Sequence, residues 1–231
     1  MKWLEGIMEL TARLRALADL VPYGARLADV GTDHAYLPVW LILHGKIQQA
    51  IAADLREGPL ARARETARQY QVEERISFRL CDGLTAVCDD EVDAIVIAGM
   101  GGDTIAAILD AAPWTKGKQL VLQPMTAWPS LREWLQSHGY QIEEERIARE
   151  GDRLYSIWAV TGGNMAPFTP VELWVGKQQR EDPLRGPYLE KIAGKVMRAL
   201  SGHLASRQRD EGQIQMLTEV LRGIQEMQKE L

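Results

Sequence analysis

Short apolar runs typical of buried strands alternate with helix-like stretches over most of the chain. Ahead of them, residues 4–20 repeat apolar side chains every three or four positions and predict an amphipathic helix. The predicted strands lie at residues 26–30, within 47–55, and at 76–80, 92–99, 118–124, 140–150 and 153–161. The predicted helices between them lie at residues 38–44, 59–70, 102–111 and 128–139.

This alternation predicts an α/β fold, because strands joined by crossover helices pair in parallel and are covered on both faces. The last two predicted strands are separated only by Gly151 and Asp152, which indicates an antiparallel hairpin. We therefore expect a Rossmann-like, seven-stranded and mostly parallel sheet.

The pattern changes at residues 161–170, where "TGGNMAPFTP" holds two glycines and two prolines and indicates a boundary. Beyond it, two long stretches repeat apolar residues at a three-four spacing. They predict an antiparallel helical hairpin close to a coiled coil. We expect a first domain at residues 1–163 and a helical domain at 164–231. The alternative is a pair of helices folded onto the first domain.

The composition is that of an ordinary soluble globular protein, with 46% apolar and 26% charged residues. No apolar run is long enough for a membrane span, and the first 20 residues mix charged and apolar side chains unlike a secretory signal. We expect a cytoplasmic protein without a membrane partner. Cys81 and Cys88 fit no familiar zinc spacing, so no metal is expected.

The net charge of −5 does not by itself indicate a nucleic-acid partner. The charge is uneven, however. Residues 162–231 carry ten lysines and arginines against nine acidic residues, whereas residues 1–161 carry 17 against 23. The less acidic C-terminal part is either a solvated helix surface or a weak indication of a binding surface.

Ligands of open α/β sheets bind beyond the carboxyl ends of the strands, and here those ends are acidic. Asp29 and Asp33 flank Gly31 after the first strand, while Asp54 and Asp82 follow the next two. Asp33 and Tyr36 also stand where a dinucleotide-binding loop would have its second and third glycines. Four acids, with no lysine or arginine in these loops before Arg56, disfavour a diphosphate, which needs donors and positive charge.

A nucleoside that carries positive charge suits the same loops. Asp54 can accept hydrogen bonds from ribose hydroxyls and Asp82 from an adenine amino group, while an ammonium and a sulfonium are stabilised among acids. These properties describe S-adenosylmethionine. The predicted cofactor residues are Asp29, Gly31, Asp33, His34, Asp54, Asp82, Gly83, Gly99, Met100 and Gly101. The alternative is that the acids are strand-end turn residues and that Gly99, Gly101 and Gly102 only permit a tight turn.

The position of Pro38 predicts how long the loop after the first strand is. Proline is favoured at the first helical position and restricts the residue before it, so we expect the helix to begin at Pro38. Residues 31–37 would then form a long loop that holds Asp33 in the site. The alternative makes Asp33 a helix N-cap.

The chain resembles the TrmK family of bacterial methyltransferases, which modify N1 of adenine 22 in tRNA. The most specific matches are "GTDHAYLP" (31–38) and "IAGMGG" (97–102), within a resemblance that covers nearly all of the first 160 residues. It implies a class I methyltransferase fold, with S-adenosylmethionine around Gly31, Asp54, Asp82 and Gly99. It also implies Asp33 as the catalytic residue, acting as a base or as an electrostatic stabiliser. Family members often have asparagine where this chain has Met125.

The resemblance implies tRNA as the partner. The predicted substrate-binding residues are Arg13, Tyr36, Met125, Lys191 and Lys195. Lys177, Arg180 and Arg198 are further basic residues of a hairpin that we expect to serve as a tRNA arm. The alternative for Arg13 is a salt bridge on the helix surface. The rival functions are a nicotinamide oxidoreductase, a small-molecule methyltransferase and a non-catalytic RNA-binding protein. The oligomeric state is not set by the sequence, and a monomer is the simplest expectation.

Overall fold

A computed structural model describes residues 8–177, 182–206 and 208–231. Within them, seven strands form one sheet in the order β3-β2-β1-β4-β5-β7-β6. The strands are β1 (Leu27–Val30), β2 (Ala50–Asp54), β3 (Ile76–Leu80), β4 (Ala94–Gly101), β5 (Gln119–Thr126), β6 (Tyr140–Glu150) and β7 (Arg153–Gly162). The first five pair in parallel, and β7 pairs antiparallel with both β5 and β6. The predicted sheet is confirmed.

Helices connect the strands and continue beyond them. They are α1 (Ala12–Leu20), α2 (Tyr36–Leu43), α3 (Glu57–Gln69), α4 (Gly102–Asp110), α5 (Trp128–Ser137), α6 (Pro170–Val175), α7 (Arg185–Ala205) and α8 (Glu211–Lys229). The helix predicted at residues 4–20 begins only at Ala12, because the Thr11 side chain caps it by accepting from the Leu14 N–H. Residues 4–7 of that prediction lie outside the described chain.

The predicted start of α2 at Pro38 is wrong. The helix begins at Tyr36, after Ala35 turns the chain with a left-handed backbone (φ 52°). Pro38 is therefore the third helical residue, and its missing N–H breaks no helical hydrogen bond because the first N–H groups of a helix have no internal acceptor. The loop that holds Asp33 is correspondingly shorter than expected and spans residues 31–35.

The sheet separates two apolar layers. Side chains alternate along β4, so Ile95 and Ile97 face α4 and α5 while Ala94 and Val96 face α1, α2 and α3. The central strands β1 and β2 are buried along their whole length, as expected for parallel strands covered on both faces. This burial fixes the position of their carboxyl ends, where the candidate site lies.

The two C-terminal helices form the predicted hairpin, with α7 and α8 packed together across a short link. The base of this hairpin is buried: Leu189 and Ile192 belong to the same apolar core as β4 and α5. The short helix α6, which the sequence pattern did not indicate, begins at a capping box of Thr169 and Glu172. The division into domains at residues 163 and 164, and coiled-coil packing of the hairpin, remain predictions.

None of the helices in the described residues is long and apolar enough to cross a membrane. In the same residues, no three histidine, cysteine, aspartate or glutamate side chains are grouped so that they could hold a metal ion.

A buried ion pair connects the sheet to the segment that leads into the hairpin. Arg132 on α5 donates to Glu145 on β6, with Nη2 and Oε1 2.6 Å apart, and the two side chains are 0% and 4% exposed. Arg132 Nη1 also donates to the Leu173 carbonyl at 2.8 Å, and Glu145 accepts from the Lys177 N–H. The pair thus holds α5, β6 and the end of α6 together.

Removing one partner of this pair should strongly destabilise the protein, because the other charge would remain buried without a counterion. We expect Arg132→Met to lower the free energy of unfolding by about 3 kcal/mol or more in urea titrations. The matched control is Arg146→Met, which removes an exposed Arg–Glu pair with Glu144 and should cost less than about 1 kcal/mol. Equal losses in the two variants would contradict this account.

Candidate active site

The carboxyl ends of β1 and β4 form the crevice in which ligands of doubly wound sheets bind. The strand order reverses at β1, which pairs with β2 on one side and β4 on the other. Val30 lies opposite both Ala53 and Ile97. The residues after these positions therefore meet at one edge of the sheet.

Gly31 shapes the loop that follows β1. Its left-handed backbone (φ +77°) favours glycine, and a Cβ there would collide with the terminal methyl group of Met100. The N–H groups of Gly31 and Thr32 both donate to the Ala53 carbonyl, at 2.8 and 3.1 Å. The structure thus brings the predicted residues Gly31 and Met100 together and fixes the loop against β2.

Asp54 and Asp82 lie at the ends of the neighbouring strands, as predicted. Asp54 is buried, and its Oδ1 accepts from the Arg56 N–H at 2.8 Å. Asp82 and Gly83 line a cavity of about 460 Å³ together with Asp103 and Thr104 of α4. The Cys81 N–H donates to the Asp54 carbonyl at 3.0 Å, which ties the two strand ends together.

Two exposed leucines flank these acids and were not singled out from the sequence. Leu55 is 65% exposed and Leu80 is 56% exposed. Large apolar side chains at the open ends of strands suit the face of a planar base. In the sequence, this role is indicated by position, since Leu55 directly follows Asp54 at the end of β2.

Asp29 is buried next to this crevice, and the charge of Arg13 on α1 affects its pKa. Burial raises the pKa of Asp29 to about 6, and the Arg13 guanidinium opposes that rise. Arg13 Nη1 donates to the buried Gln123 side chain at 3.2 Å, and its Nε pairs with Glu150 at 3.4 Å. Arg13 is thus half-buried among protein groups at the edge of the site.

Asp33 lies at the mouth of the crevice and is 65% exposed. It forms an ion pair with Arg62 of α3, and its Oδ2 lies 3.6 Å from His34 Nε2. The hydrogen bond from Arg62 is the main reason why the pKa of Asp33 is lowered. The alternative that Asp33 caps α2 does not hold, because Ala35 occupies the N-cap. His34 stacks on the ring of Tyr36, with centroids 5.0 Å apart.

The glycines at the end of β4 and the start of α4 have different surroundings. Gly99 has a left-handed backbone (φ +79°), and a Cβ there would meet no atom within 4 Å, so open space lies in front of it. A Cβ on Gly102, in contrast, would lie 2.6 Å from the Ala127 carbonyl oxygen, and one on Gly101 would lie 3.1 Å from Thr126 Oγ1. Gly99 therefore leaves room for a ligand, whereas Gly101 and Gly102 allow close packing against the end of β5 and the residue that follows it.

Met125, the predicted substrate-binding residue at the end of β5, lies beside Lys191 and Lys195 of α7. Met125 is 37% exposed, and it lines a cavity of about 260 Å³ with Trp128, Lys191 and Lys195. Lys195 Nζ lies 4.1 Å from the centre of the Trp128 ring. The predicted residue Arg180 lies outside the described chain.

This chain has close relatives among tRNA methyltransferases. Residues 10–158 match a family model described as a methyltransferase domain. The tRNA (adenine(22)-N(1))-methyltransferase of Bacillus subtilis is 36% identical over 187 residues, which is 80% of this chain and 76% of that protein. The chain belongs to the TrmK family. The structure of B. subtilis TrmK superposes with a TM-score of 0.84 at 28% identity, covering 96% of this chain and 99% of that one.

A second TrmK-like structure bears on the ligand. Sp1610 of Streptococcus pneumoniae, in complex with S-adenosyl-L-methionine, gives a TM-score of 0.83 at 35% identity and covers 95% of this chain and 100% of that one. The predicted class I methyltransferase fold and the predicted cofactor are thereby confirmed. The residues present also fit this cofactor, because buried acids and the open space at Gly99 accommodate a cationic nucleoside.

Asp29 should make cofactor affinity depend on pH. A cationic ligand favours the ionised carboxylate, so affinity should be constant above the pKa of about 6 and fall by up to tenfold per pH unit below it. Calorimetry with S-adenosylmethionine between pH 5 and 8 measures this dependence. Asp29→Asn should bind more weakly at pH 7.5 and lose this fall at low pH. An unchanged pH profile in that variant would show that Asp29 does not face the ligand.

Proposed function

We propose that this protein transfers a methyl group from S-adenosylmethionine to N1 of adenine 22 in tRNA. The observation that carries the proposal is an acidic, nucleoside-shaped crevice in a member of the TrmK family, with Asp33 at its mouth. A cytoplasmic location, where tRNA is found, is part of the same proposal.

The strand-end residues are proposed to hold the cofactor. Asp54 accepts from the ribose hydroxyls and Asp82 from the adenine amino group, while Gly31 and Gly99 let the ligand approach the backbone closely. When bound, S-adenosylmethionine supplies a methyl group on a positively charged sulfur. The remaining task of the protein is to place the attacking nitrogen in line with that methyl group.

Asp33 is proposed to act on the target base. Methylation at N1 places a positive charge on adenine, and a nearby carboxylate stabilises this charge as it develops. The lowered pKa of Asp33 means that it is ionised at neutral pH and is a weak proton acceptor. Of the two roles left open by the sequence, this supports electrostatic stabilisation. Arg62 then acts as a positioning residue that holds the carboxylate at the mouth.

The target adenine must leave its stacked or paired position before its N1 can reach the crevice. Tyr36, which is 43% exposed, and Met125 offer apolar surface at the mouth for such a base. Met125 takes the place of the asparagine often found in the family, so a polar contact at this point comes from another residue or is absent.

Asp33→Asn should retain cofactor affinity and lose turnover by about 100-fold, because the neutral amide no longer stabilises the developing charge. Single-turnover methyl transfer to unmodified tRNA measures the effect. The control is Asp89→Asn, since Asp89 is 62% exposed and also forms an ion pair, with Lys118, but lies far from the crevice. Full turnover in Asp33→Asn, or an equal loss in the control, would contradict the assigned role.

The substrate class is tested by offering labelled S-adenosylmethionine with unmodified tRNA or with a pool of small metabolites. Label should enter the tRNA. Label in a metabolite and none in tRNA would point instead to a small-molecule methyltransferase. Cofactor binding without transfer to either would point to a non-catalytic RNA-binding protein.

A further inference from the structure

A continuous groove runs between the β6–β7 turn and helix α7. It consists of two adjoining cavities of about 260 and 470 Å³, which share Asp152, Leu154 and Lys191. One end opens beside Pro124 and Met125, and Pro124 pairs with Met100 of the candidate active site. The other end reaches Arg198 on α7. We call this feature the turn groove.

The turn groove is strongly basic in an otherwise acidic protein. The cations that line it are Arg149, Arg153, Lys191, Lys195 and Arg198, against the acids Asp152 and Glu190. None of these five cations takes part in an ion pair among residues 8–177, 182–206 and 208–231. The groove therefore carries five cations against two acids, although the whole chain carries a net charge of −5.

Three of the cations follow one another along a single face of α7, because Lys191, Lys195 and Arg198 are spaced by four and three residues. Burial, together with the nearby charge of Lys195, lowers the pKa of Lys191 to about 8. Lys191 donates to the Leu154 carbonyl, and Lys195 lies over the Trp128 ring. The first two side chains are therefore held in place with their charges close together, an arrangement that a bound anion would stabilise.

We propose that the turn groove binds the sugar–phosphate backbone of the tRNA strand that carries the target base. The proposal rests on the proposed function, and it assigns the contact to the base of the hairpin and to the β6–β7 turn. A strand that follows the groove leads directly from α7 to the mouth at Met125. Arg149 and Arg153, which no sequence pattern connected with RNA, face the same groove from β6 and β7.

Deleting residues 165–231 is a poor test, because α7 and α8 contribute to the apolar core shared with the sheet. The test is a triple variant of groove residues, Arg149→Gln, Lys195→Gln and Arg198→Gln, in the full chain. Each phosphate contact that is lost lowers the salt dependence of binding by about 0.7 to 0.9 in log–log slope. We expect tRNA affinity at least tenfold weaker, a slope reduced by about two, and unchanged affinity for S-adenosylmethionine.

The matched control removes three exposed cations from the hairpin outside the groove, by Arg209→Gln, Arg222→Gln and Lys229→Gln. It should bind tRNA like the unmodified protein. A second variant keeps the charges, with Arg149→Lys, Lys195→Arg and Arg198→Lys, and should retain affinity within about threefold. If the neutral triple binds tRNA normally, or if the control or the charge-retaining variant loses as much, the proposal is wrong.

The outcome can be separated from failure of the proposed function. If the unmodified protein methylates tRNA but the neutral triple keeps its KM for tRNA, the groove is not the binding surface and the methyltransferase function stands. If the unmodified protein does not methylate tRNA at all, the proposed function fails, whereas the binding measurements still decide whether the groove holds an RNA strand.

Discussion

The parallel pairing of β1 with both β2 and β4 is the constraint on which the site depends. β1 is only four residues long and fully buried, so a one-residue slip of its register would turn each side chain toward the wrong apolar layer. That register brings Gly31, Asp54 and Gly99 to one edge. The reversal of strand order at β1 then opens the crevice between them.

Aspartates that look equivalent in the sequence differ sharply once they are placed around this edge. Asp29 is buried and has a raised pKa, whereas Asp33 is exposed, is held by Arg62 and has a lowered pKa. The first is suited to recognising a cationic ligand inside the crevice, and the second to acting on a base that arrives from outside. The division of roles follows from burial and from neighbouring charges rather than from the residue type.

The pattern predicted every strand of the sheet, because the buried parallel strands leave apolar runs and the short turn at Gly151 and Asp152 marks the antiparallel hairpin. It failed where a contact between distant residues decides the structure. Pro38 predicts the start of α2 two residues too late, because Ala35 already turns the chain. Nor does the run of glycines distinguish Gly99, which has open space in front of it, from Gly102, which the Ala127 carbonyl oxygen approaches. The partners of Asp33 and Arg13, and the meeting of Arg149 with Lys191, likewise depend on tertiary packing that no local pattern records.

The position and atom of methylation provide the most direct test of the account. An unmodified tRNA transcript is incubated with the protein and S-adenosylmethionine, then analysed by primer extension and nucleoside mass spectrometry, beside a matched transcript with guanine at position 22. We expect 1-methyladenosine at position 22 of the first transcript and none in the second. Methylation at another nucleotide, at another atom of adenine 22, or in both transcripts alike would contradict it.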